Sequence, residues 1–89
     1  MRDRRVYKYK LEITDQQFVK LPEDAEILSV NAQGMDLVLY ALVDFPIGQA
    51  ISRVVRIAGT GHPIIGNVGQ YVGTAMMREG QLVWHVFID

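Results

Sequence analysis

Apolar and polar side chains alternate with a period of two along most of this chain, and no segment shows helical spacing. From Val6 to Ile13, the residues Tyr7, Tyr9, Leu11 and Ile13 fall on one face, and Lys8, Lys10 and Glu12 on the other. That alternation is the mark of a half-buried strand. Thr14-Asp15-Gln16 supplies turn chemistry. Gln17 to Leu21 reads as a short strand ended by Pro22, which cannot donate to a ladder. Only around Asp15–Lys20, with Asp15 as an N-cap, does a helical turn compete. Glu26 to Gln33 is the next strand, with Leu28, Val30 and Ala32 set against Ile27, Ser29 and Asn31. Gly34-Met35-Asp36 predicts a hairpin turn. Leu37 to Val43 is almost wholly apolar, which suits a central strand buried on both faces. A short buried helix is the alternative there, but the β-branched and aromatic content favours strand.

Asp44 to Gly48 is a loop. Ile51 to Ala58 alternates again, imperfectly, because Arg53 shares a face with Ile51, Val55 and Ile57. Gly59 to Gly69 then carries four glycines and a proline, which excludes regular structure. Tyr71 to Met77 resumes as strand, with Gly73 marking a bulge or a close backbone approach. Arg78-Glu79-Gly80-Gln81 is a turn into a final strand, Leu82 to Ile88. Six or seven short strands joined by turns predict a single all-β domain over residues 1–89, a small antiparallel sandwich or barrel.

Composition narrows the partners. The 89 residues include no Cys, so neither disulfide nor thiolate metal site can reinforce the small core, and a homo-oligomer is the expected reinforcement. The formal net charge of -1 disfavours general nucleic-acid binding. The N-terminus is the exception, with Arg2, Arg4, Arg5, Lys8 and Lys10 in the first ten positions. Tyr7 and Tyr9 lie among these cations, as on a single-strand-binding surface, but alternation points the lysines away from the tyrosines. No apolar run predicts a membrane helix, and no apolar segment follows the basic N-terminus as a signal peptide would require. A cytoplasmic location is expected.

The glycine-rich stretch is the leading candidate site. Gly59, Thr60, Gly61 and His62 can present backbone N–H groups to an anion, with charge from Arg53 and Arg56 on the preceding strand. The phosphate-loop and dinucleotide fingerprints are both absent, so a plain β–β connection is the competing explanation. His62 and His85 are the only histidines and have no metal-ligand spacing; no metal or other cofactor is expected. Ser29 and Ser52 sit in strand patterns without a nucleophile elbow, and no catalytic residue is expected. His85, between apolar neighbours, reads as a satisfied packing residue. Phe45 and Ile47 in a loop, together with Trp84, are candidates for a partner interface.

Several segments together carry a resemblance. They are Tyr7-Lys8-Tyr9, Leu21-Pro22, Ala25 to Val30, Ala41 to Asp44, Gly59 to Ile64, Gln70 to Thr74 and Leu82 to Phe87. The chain resembles a family of short uncharacterised proteins associated with bacteriophage and prophage genomes. Members of that family are polar and Pro-rich where this chain has Phe45 and Ile47. The resemblance brings no catalytic residue. It implies action by binding in a host cytoplasm: sequestering an anionic, nucleotide-like signal, or blocking a host protein through a sheet edge or loop. Single-stranded nucleic-acid binding is a further alternative.

Overall fold

The computed structural model describes residues 3–64 and 66–89. Arg2 of the basic N-terminus and Ile65 of the glycine-rich stretch lie outside the described residues. Seven strands form: β1 (Arg4–Leu11), β2 (Gln16–Pro22), β3 (Glu26–Gln33), β4 (Asp36–Asp44), β5 (Ala50–Gly59), β6 (Gln70–Met77) and β7 (Leu82–Ile88). All pairings are antiparallel, in a three-stranded sheet ordered β1-β4-β3 and a four-stranded sheet ordered β2-β5-β7-β6. The fold is therefore an all-β sandwich with no helix among the described residues, and the Asp15–Lys20 region is a bend at Asp15 followed by strand from Gln16.

The period-two pattern places one face of each sheet in the core. Leu11, Leu37, Leu39 and Val30 from the smaller sheet meet Leu21, Val55, Ile57, Val86 and Ile88 from the larger one. Each such side chain removed from water contributes roughly 1.5–3 kcal/mol. β4 is central, as its unbroken apolar run predicts; its inner face is fully buried, and its outer face is only half-buried at Tyr40 and Leu42. Its outward Val38 is covered even on the solvent side. There Lys8 Nζ donates to Gln33 Oε1 at 3.1 Å, reaching from one edge strand to the other, and Gln33 Nε2 donates to the Tyr40 hydroxyl at 2.8 Å.

Two details depart from simple alternation. β1 stops at Leu11, and Ile13 is exposed. The Gln17 side chain accepts from the Glu12 N–H at 3.0 Å and donates to the Glu12 carbonyl at 2.6 Å, which turns the chain out of the ladder. In β3 the register shifts between Ile27 and Ser29, so Ile27, Val30 and Ala32 face the core and Leu28 points outward. A bulge adds one residue and inverts the pattern beyond it. β6 carries a matching shift between Tyr71 and Gly73. The two bulged strands meet where a Cβ on Gly73 would stand 3.2 Å from Val30 Cγ1, so that glycine permits the close approach of the sheets.

Burial of Tyr9 raises its hydroxyl pKa above the ordinary 10.0, with the neighbouring Tyr7 adding to the shift. The unfolded phenol ionises first, so this contribution to stability is intact below pH ~10 and is lost as pH rises further. Leu39→Ala should cost about 2–5 kcal/mol by denaturant unfolding. Leu28→Ala should cost no more than about 0.5 kcal/mol, the reverse of what unbroken alternation would give.

Candidate functional site

β5 and β6 are both antiparallel to β7, so they run in the same direction with β7 between them. β5 ends level with Trp84, and β6 begins level with Ile88 at the opposite end. The described residues of the connection, 60–64 and 66–69, must therefore travel back along the sheet, and with the core on the inner side they cross its outer face. The side chains report the path. Gly66 lies against the Arg56 guanidinium, where a Cβ would stand 3.4 Å from Nη2. A Cβ on Gly69 would meet the Ile88 carbonyl oxygen at 2.7 Å and Asp89 Oδ1 at 2.6 Å. Ala58, on the outer face, is only 8% exposed. The glycines are needed because the connection runs directly on the sheet beneath it, with Gly66 and Gly69 at φ 82° and 79°.

The crossover starts with a tight turn. His62 N–H donates to the Gly59 carbonyl at 3.1 Å, and Gly61 takes φ 85°. The His62 ring packs on Gly59, its Nδ1 3.0 Å from where a Cβ would stand. The Thr60 hydroxyl is hydrogen-bonded to His85 Nε2 at 2.7 Å. His85 Nδ1 is bonded at 3.0 Å to the Thr74 hydroxyl, which meets the Tyr71 hydroxyl at 2.6 Å. This chain of four side chains ties the turn to β7 and β6. His85 is thus satisfied at both ring nitrogens. Between the turn and β7 lies an open concavity of about 240 Å³, walled by Gly59, Thr60 and His62 on one side and by Leu82, Val83 and Trp84 on the other. The buried Trp84 Nε1 is without a hydrogen-bond partner among the described residues.

Arg53 and Arg56 do not join this concavity. They sit on opposite faces of β5, and both turn to the end of β7. Arg53 Nε donates to the Asp89 carbonyl at 2.8 Å, and Arg56 Nη1 donates to Asp89 Oδ2 at 2.9 Å. The Arg56 side chain is 11% exposed beneath the crossover. The structure thus groups Gly59, Thr60 and His62 with Trp84, leaves Gly61 in the turn but off the concavity wall, and separates all of them from the two arginines. Asp89 was not foreseen as their partner; its position directly after β7, level with Val54, was the available signal. Gln81, Leu82 and Val83 were also missed as wall residues, having only strand or turn chemistry to show.

The other interface candidates lie elsewhere. Phe45 and Ile47 are partly exposed on the β4–β5 loop. The Arg5 guanidinium stands 3.6 Å above the Phe45 ring and is held by Asp3 at 3.1 Å, so the ring is covered on one face. On the outer face of the larger sheet, Phe18 is 71%, Met76 63% and Tyr71 55% exposed. Among the described residues no cluster of three His, Asp or Glu side chains is placed to hold a metal ion.

Residues 2–89 match the model of a domain of unknown function, DUF7352, and the chain belongs to that uncharacterised family. No curated protein and no solved structure matches it.

Two glycines separate backbone strain from collision. Gly61→Ala has open space and should cost only the left-handed strain, about 1–2 kcal/mol. Gly69→Ala meets backbone as well, and thermal unfolding should show the larger loss.

Proposed function

We propose that this protein is a non-enzymatic binding protein whose recognition site is the concavity between the Gly59–His62 turn and β7. The observation that carries this reading is the meeting of three sequence-nominated residues, Gly59, Thr60 and His62, with Trp84 around one space of about 240 Å³. Its wall combines an indole and aliphatic side chains with a hydroxyl, an imidazole and an amide. Those groups suit a planar ring with a hydrogen-bonding edge, such as the base of a nucleotide-like signal. Arg53 and Arg56 are occupied by Asp89, so a phosphate on such a ligand is held by the turn's donors or by solvent. The mechanism is sequestration, with no bond broken. The resemblance to phage-associated proteins supports binding over catalysis; the family description itself names no source.

Trp84 is the chain's single tryptophan and reports directly on the site. Adenosine monophosphate should shift its emission, and ribose 5-phosphate should not. Thr60→Ala, which removes one hydrogen bond, should weaken binding roughly tenfold by calorimetry. The reading fails if native mass spectrometry shows only the bare chain and adenosine monophosphate leaves Trp84 unchanged.

A second reading has its own observation. On the outer face of the larger sheet, ordinarily polar in a sandwich, Phe18 on β2 and Tyr71 and Met76 on β6 expose aromatic and apolar surface on either side of the crossover. That surface suits a protein partner, either a host protein or a second copy. Phe18→Ser with Met76→Ser should abolish a stoichiometric complex, or a concentration-dependent dimer, seen by sedimentation.

A further inference from the structure

We propose that the free edge of β1 accepts an extended acidic peptide as an additional strand of the three-stranded sheet. The four sheet edges are not equivalent. β3 and β6 each carry a bulge and face one another, with Gly73 against Val30. β2 ends in Pro22. β1 pairs in unbroken register along all eight of its residues, Arg4 with Asp44 through Leu11 with Leu37, and contains neither Gly nor Pro. Among the described residues it pairs with β4 alone. A long, flat edge of this kind is a template for another strand.

The charge on that edge selects the occupant. Arg4, Lys8 and Lys10 share the outward face of β1, with the exposed Val6 between them. In a two-fold antiparallel pairing with a second copy, every register that keeps these side chains on one face and pairs five or more residues of β1 sets cation against cation. Centred on Tyr7 it opposes Arg4 to Lys10, centred on Val6 it opposes Arg4 to Lys8, and centred on Lys8 it opposes that lysine to itself. Like charges directly opposite destabilise a ladder, so a second copy is disfavoured and an acidic strand is favoured. The present partners give way easily. Lys10 meets Asp36 at 3.5 Å with both side chains largely exposed, and Arg4 meets Asp44 at 3.4 Å with both about a third exposed. Surface pairs of this type contribute about 0–1 kcal/mol each.

The register specifies the peptide. Antiparallel to β1, carboxylates opposite Lys10, Lys8 and Arg4 fall at the first, third and seventh positions, with an apolar residue at the fifth opposite Val6. The probe is Glu-Thr-Glu-Thr-Val-Thr-Glu, tested by calorimetry and by amide exchange of the full chain. Binding should protect β1 amides that face away from β4. It should weaken at least tenfold in Lys8→Gln/Lys10→Gln, whose thermal unfolding should match the parent chain. The Phe45 N–H donates to the Asp3 carbonyl, so it is Arg4, Val6, Lys8 and Lys10 whose backbone groups face the free edge, and a peptide with Pro replacing the Val opposite Val6 should not bind. Equal binding of that Pro peptide, unprotected β1 amides, absent binding, or self-association through β1 would each overturn the proposal. None of these outcomes bears on Trp84, so this test and that of the ring-binding concavity fail independently.

Discussion

Two strands that flank a common antiparallel neighbour must point the same way, and that rule shapes this molecule more than any single contact. With β7 between β5 and β6, the chain has no hairpin open to it after Gly59. It must return the length of the sheet, and the outer face is the only surface left to it. The unusual features of residues 60–64 and 66–69 follow from that requirement. Gly69 allows contact with the Ile88 carbonyl oxygen, Gly66 rests on the Arg56 guanidinium, and Arg56 and Asp89 form a charged seat under the path. The Thr60–His85 hydrogen bond fastens its start. The concavity beside Trp84 is where the turn lifts from β7 before the path begins.

Most of the fold was readable because the side-chain period of a strand is two and the core has only one side. The hairpin at Gly34, the central β4 and the turn before Leu82 all follow from that pattern and from turn chemistry. Leu28 and Ile13 were misplaced for a physical reason. A bulge changes the phase by one residue without leaving a mark in composition, and the Gln17 side chain that ends β1 acts through hydrogen bonds that periodicity does not register.

The site was legible in part. Glycine content singled out the right stretch, and the Gly59–His62 turn does border a concavity. Proximity along the chain was misleading for Arg53 and Arg56. An odd separation puts them on opposite faces of β5, and both find the chain end contributed by β7. Long-range partners of that sort depend on strand order, which no local pattern encodes. The same strand order leaves β1 as the edge without a bulge or a proline, so the basic N-terminus acquires a geometric meaning that its charge alone did not supply.

Backbone order parameters for residues 60–64 and 66–69 test the central claim most directly, since those residues form a fixed strap seated on their own sheet. The account predicts values near 0.85, those of rigid backbone, and a fall in the segment around Gly66 when Asp89→Asn weakens the seat under Arg56. Values below about 0.6 in the unaltered protein, with Arg56 indifferent to Asp89, would contradict it.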